Sequence, residues 1–85
     1  MQRIEKTIAV VDDDESVLHY LRDALTLGGY NCRPFTNGPA ALEWLASGTE
    51  FADLLVTDVN MPEMNGFDML RSVKTMNPNL PFIIL

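Results

Sequence analysis

Short apolar runs alternate along the chain with segments whose apolar residues recur every three or four positions. That is the pattern of βαβ units wound around a parallel sheet. Thr7 to Val11 reads as a buried first strand. Asp14 then caps a helix whose apolar face is Val17, Leu18, Leu21, Ala24 and Leu25, and Gly28-Gly29 ends it because glycine accepts the conformation a C-cap needs. Asn31 to Phe35 is a second strand. Asn37-Gly38-Pro39 opens a short helix, with proline suited to the first helical position, Ala41, Leu42 and Leu45 as its stripe and Gly48 as its end. Asp53 to Thr57 is a third strand, apolar enough to expect burial on both faces. The turn-rich stretch Met61 to Gly66 leads into a third helix marked by Phe67, Leu70, Val73 and Met76 and stopped by Asn77-Pro78. Leu80 to Leu85 reads as a fourth strand.

Eighty-five residues form at most one small domain, and no repeat or linker divides them. A hydrophobic content of 47% is that of a globular chain. Twelve acidic against six basic residues give a net charge of −6, which argues against direct binding of nucleic acid or an anionic membrane by this segment. Cys32 is alone, which excludes an internal disulfide and fits a reducing compartment. No charged start leads into an apolar stretch of signal-peptide length, and no run is long enough to span a bilayer, so a soluble, cytoplasmic protein is expected.

Chemistry enters with two acidic sets, Asp12-Asp13-Asp14 and Asp58, each directly after a strand-like run. If the two strands lie parallel in one sheet, both sets meet at the same edge, beyond the carboxyl ends where open α/β sheets bind ligands. Like charges about 4 Å apart repel by roughly 4 kcal/mol at an effective dielectric near 20, so such a cluster calls for a cation, Mg²⁺ above all. A few carboxylates with water and phosphate oxygens around Mg²⁺ suit phosphoryl transfer, and Asp58 is the natural nucleophile, able to form an acyl phosphate.

Val10-Val11-Asp12-Asp13, the order of elements and Asp58-Val59-Asn60-Met61-Pro62-Glu63-Met64-Asn65-Gly66 together resemble the receiver domain of two-component response regulators. The resemblance implies a flavodoxin-like fold with strand order 2-1-3-4. It implies that Asp58 accepts a phosphoryl group from a partner histidine kinase, a phosphotransfer protein or a small phosphodonor. It also implies that Asp12 and Asp13 hold Mg²⁺ together with Asp58, Asp13 directly and Asp12 largely through water, that Asn60 adds its backbone carbonyl, and that Pro62 and Gly66 shape the loop. Residues 1–85 correspond to the N-terminal two-thirds of the family domain. The family's switch Ser or Thr, its phosphate-binding lysine and its last helices have no counterpart in these residues. Phosphorylation is therefore expected to be impaired, and the fourth strand to be a bare edge open to homo-oligomer formation or segment exchange between copies.

Blander readings account for other residues. Asp14 and Glu15 suit the helix N-terminus electrostatically. His19 lies on a polar helix face with Glu15, Arg22, Asp23 and Thr26 and reads as solvated. Cys32 reads as a small packing residue and Trp44 as structural, while Met61 and Met64 are expected to pack the loop against the third helix. The alternative function is a receiver-like dimerisation or scaffolding fragment without phosphotransfer. An enzyme, such as a phosphohydrolase with an aspartate nucleophile, is disfavoured because no acid/base group follows Asp58 in an obvious position.

Overall fold

The computed structural model describes residues 6–85. Four strands, β1 (Thr7–Val11), β2 (Asn31–Phe35), β3 (Leu54–Thr57) and β4 (Phe82–Ile84), alternate with three helices, α1 (Glu15–Leu27), α2 (Gly38–Ser47) and α3 (Gly66–Met76). The sheet order is β2-β1-β3-β4, with every pairing parallel. β1 is therefore central, and its register sets Val11 beside both Phe35 and Thr57.

Because side chains alternate across a strand, the sheet has two distinct faces. Ala9, Val11 and Leu55 join Ala41 of α2, Met69 and Val73 of α3, Met61 and Leu80 in one core, with Phe35, Leu42, Trp44 and Leu45 packed around it. Phe35 and Trp44 meet as a tilted ring pair with centroids 5.4 Å apart, so the only tryptophan is structural. The other face carries Ile8, Val10, Cys32 and Leu18 of α1, bordered by Leu21, Leu25, Leu54 and Val56. Burial raises the pKa of the Cys32 thiol, so it behaves as an apolar side chain.

Local chemistry places each helix. Asp14 caps α1 by accepting from the Ser16 N–H at 2.9 Å. Asn37 caps α2 through the Ala40 N–H at 2.8 Å, and Gly48 ends that helix with φ of 70°, where a side chain would be strained. Asn65 and Asp68 form a reciprocal capping box at the start of α3.

Several expectations are corrected. β3 begins at Leu54, and β4 covers only Phe82–Ile84, with Leu80 buried ahead of it in the core. β3 is fully buried on one face only: Leu55 and Thr57 are inaccessible, whereas Leu54 and Val56 are half-buried, because α2 and α3 cover one face of the sheet and α1 the other. Ala24 of α1 is exposed, which leaves Leu18, Leu21 and Leu25 as the inward face. In α3 the buried residues are Gly66, Met69 and Val73, while Phe67 (54% exposed) and Met76 face outward. Val73 is in the core as the spacing implies, but the buried stripe that reaches it runs through Gly66 and Met69 instead of Phe67 and Leu70.

Candidate functional site

The backbone ladders that flank β1 run one residue past its end. The Asp12 N–H donates to the Phe35 carbonyl at 3.0 Å, and the Asp58 N–H donates to the Val11 carbonyl at 3.0 Å. Asp12 and Asp58 thus leave adjacent strands at the same level, held by the sheet before any side chain is considered. Carboxylate oxygens of Asp12, Asp13 and Asp58 all lie within 4.8 Å of one another. Asp12 is buried (8% exposed), Asp58 half-buried and Asp13 exposed. Asp14, the fourth acid nearby, is occupied as the α1 cap, as its position implied.

Electrostatically the cluster is uncompensated. Burial pushes the Asp12 carboxyl up from its ordinary range, the Asp14 N–H that donates to Asp12 Oδ1 at 2.9 Å pulls it partly back, and repulsion from Asp58, Asp13 and Asp14 raises it again. The charges that shift Asp12 are, among the described residues, all acidic. Among the described residues, the arginines and Lys74 are engaged elsewhere: Arg33 pairs with Glu50 at 2.8 Å, Arg71 pairs with Asp68, Lys74 donates to the Pro78 carbonyl, and Arg22 donates to Nδ1 of His19. Lys6 stands before β1, at the opposite edge of a sheet whose strands are all parallel. Three oxygen donors at chelating distance, with no protein cation among the described residues to balance them, fit a hard divalent ion.

The loop after Asp58 closes one side of the site. Met61 is buried beside Thr57, whose hydroxyl donates to the Asp58 carbonyl at 3.1 Å. Met64 packs against the core that holds Met69 and Val73 of α3, and it also lies over the start of α2, where a Cβ on Gly38 would come within 3.0 Å of its sulfur. Asp13, Asn60, Pro62 and Phe67 line an open groove of about 540 Å³, which Asp13 alone of the three acids reaches and which gives outward-facing Phe67 its surroundings. Asn60 therefore shares a groove with Asp13. His19 is exposed on α1, as its polar face implied. Thr57, Gly38 and Gly66 are structural members of the site that sequence reasoning did not connect with one another; their roles depend on close approaches between elements, which no local pattern encodes.

A parallel α/β sheet that gathers three acids at the ends of two neighbouring strands defines an acidic-site α/β module. The chain belongs to the response regulator receiver domain family, whose model matches residues 8–85. It is 40% identical over 79 residues to the DNA-binding transcriptional regulator NtrC of Rhizobium meliloti (strain 1021), covering 93% of this chain and 16% of that protein. It is 45% identical over 76 residues to the NtrC of Escherichia coli (strain K12), covering 89% and 16%. The chain thus spans about one-sixth of the length of these curated relatives. A crystal structure of a response regulator receiver domain protein from Clostridium thermocellum superposes with a TM-score of 0.88 at 26% identity, covering 93% of this chain and 63% of the other. The fold is accordingly that of a receiver, with the flavodoxin-like strand order intact through β4. Among the described residues, no helix is long and apolar enough to cross a membrane.

Proposed function

We propose that this receiver domain is the phosphoacceptor of a two-component relay and that Asp58 is the residue modified. The observation that carries the reading is the convergence of Asp12, Asp13 and Asp58 within 4.8 Å, beside an open groove and with no protein cation among the described residues. An Asp58 carboxylate oxygen attacks phosphorus, the bond from phosphorus to the donor (a phosphohistidine nitrogen of a kinase or phosphotransfer protein, or the acyl oxygen of acetyl phosphate) breaks, and the donor leaves with that electron pair. Asp12, Asp13, Asp58 and the Asn60 backbone carbonyl would hold Mg²⁺, which when bound neutralises charge shared between phosphoryl oxygens and carboxylates. Asp12 stays unmodified in this scheme, because it is buried and braced by the Asp14 N–H, while half-buried Asp58 remains open to the donor.

The module is read as a cytoplasmic signalling switch, not an enzyme, occupying the N-terminal two-thirds of a receiver. Any output of the kind named for the NtrC relatives belongs to a longer protein; the net charge of −6 gives this segment no attraction to nucleic acid. Expressed as these 85 residues alone, the module should take up phosphate slowly and transmit it poorly, since the resemblance assigns a switch hydroxyl and a lysine to positions that they do not include. In these 85 residues expressed alone, exposed Ile83 (45%) and Leu85 (62%) favour the alternative of a receiver-like dimerisation fragment, with β4 at the edge of the described sheet pairing with another copy.

Incubation with acetyl phosphate, followed by intact-mass measurement, tests the phosphoacceptor role. The chain should gain one phosphoryl group in the presence of Mg²⁺, none after chelation, and none in Asp58→Asn. Modification that persists in Asp58→Asn would overturn the assignment.

A further inference from the structure

Gly66 opens α3, and its N–H donates to the Val59 carbonyl at 3.2 Å. A Cβ at this position would lie 3.1 Å from the carbonyl oxygen of Asp58, 3.1 Å from Ile84 Cγ2 and 3.3 Å from Thr57 Cγ2. These separations are tighter than ordinary contact, so a neighbour would have to move by a few tenths of an ångström. The Asp58 peptide is held on both sides, by its own N–H on Val11 and by the Thr57 hydroxyl on its carbonyl. β4 is held as well, because the Leu85 N–H donates to the Thr57 carbonyl at 2.9 Å. The first turn of α3 is thus seated in a slot whose walls are the backbone of Asp58 and the side chain of Ile84. Gly66 does not have positive φ, so backbone conformation does not demand glycine here. Close packing does.

We propose that Gly66 is a positioning residue: its missing side chain lets α3 rest on the Asp58 carbonyl, fixes where the Asp58 carboxylate stands relative to Asp12 and Asp13, and couples that placement to Ile84 of β4. The inference deepens the reading of Asp58 as phosphoacceptor and rests on it for its functional consequence. Helix propensity alone makes the opposite forecast, since alanine is a better helix former than glycine and Gly66→Ala would then improve the fold.

A double-mutant cycle on the whole chain separates the possibilities. Gly66→Ala, Ile84→Ala and the double variant are compared by the metal-free NMR carbonyl shift of Asp58, by Mg²⁺ affinity from calorimetry and by Tm. Gly66→Ala should move the Asp58 carbonyl signal and weaken Mg²⁺ about tenfold, the scale of losing a supporting contact around a metal ligand. Ile84→Ala alone, which opens the slot without filling it, should weaken Mg²⁺ less than Gly66→Ala does, and the double variant should recover most of the losses of Gly66→Ala, because the added methyl group can move into the vacated space. If Gly66→Ala does not fold, recovery of folding in the double variant supports the slot, and a double variant that fails equally overturns it. An unchanged Asp58 signal, or the same loss with and without Ile84, also overturns it. Should the wild-type chain bind no Mg²⁺, the metal site fails, while the metal-free carbonyl shift still decides the role of Gly66.

Discussion

Asp12 concentrates the energetics of the site in one side chain. It is buried and surrounded by acids, and its carboxyl is raised by burial first and by repulsion second. Above the raised value, the ionised carboxylate is costlier in the folded than in the unfolded chain, so Asp12 subtracts from stability at neutral pH. As pH falls through the raised value toward the ordinary carboxylate range, the native state takes up a proton that the unfolded state does not, and the lost stability returns. Asp12→Asn keeps an oxygen for the Asp14 N–H and removes the charge. It should stabilise the metal-free chain at pH 7 by on the order of 1 kcal/mol, the scale of one solvent-screened carboxylate repulsion. Denaturant melts across pH check this: the advantage should shrink on acidification and reverse with Mg²⁺ present. The same residue shows what a sequence makes legible. Three consecutive aspartates after a strand exceed what a helix N-terminus asks for, so the surplus charge was readable. The division of labour, with Asp14 as cap and Asp12 buried, became definite only with burial and hydrogen bonds.

At the scale of elements, boundaries were legible where side-chain chemistry punctuates the chain. Asp14, Asn37 and Gly48 stand where capping rules put them. Legibility failed where two ridges of one helix compete: α3 buries Met69 rather than Phe67, and the choice depends on α2 packed beside it and β4 beneath. Asn65 falls in the turn-rich stretch before α3, and its spacing to Asp68 three positions on is the local signal of a capping box. Asn65→Ala should therefore destabilise the chain by about 1 kcal/mol and lower Tm by roughly 4–8 °C for a domain of this size. A thermal melt followed by circular dichroism measures the loss, which should be undiminished by Mg²⁺ because the cap lies outside the acid cluster.

For the whole molecule, parallel strands with β1 at the centre are what turn two distant sequence motifs into one site. The same topology leaves β4 as an edge strand bearing exposed Ile83, while the opposite edge strand, β2, is interrupted by Pro34, which offers no N–H for pairing. For residues 1–85 expressed alone, the proposed self-association runs through β4: light scattering after size exclusion should show a concentration-dependent dimer that Ile83→Lys suppresses, and a dimer indifferent to that substitution would place the contact elsewhere. The claim on which the functional account depends is that three acids from two strands share one cation. Titration of the ¹⁵N-labelled chain with Mg²⁺, followed by NMR, addresses it directly. The account predicts saturable shifts centred on Asp12, Asp13, Asp58 and Asn60, lost in Asp13→Asn. Shifts that never saturate, or that spread evenly over all exposed acids, would contradict it.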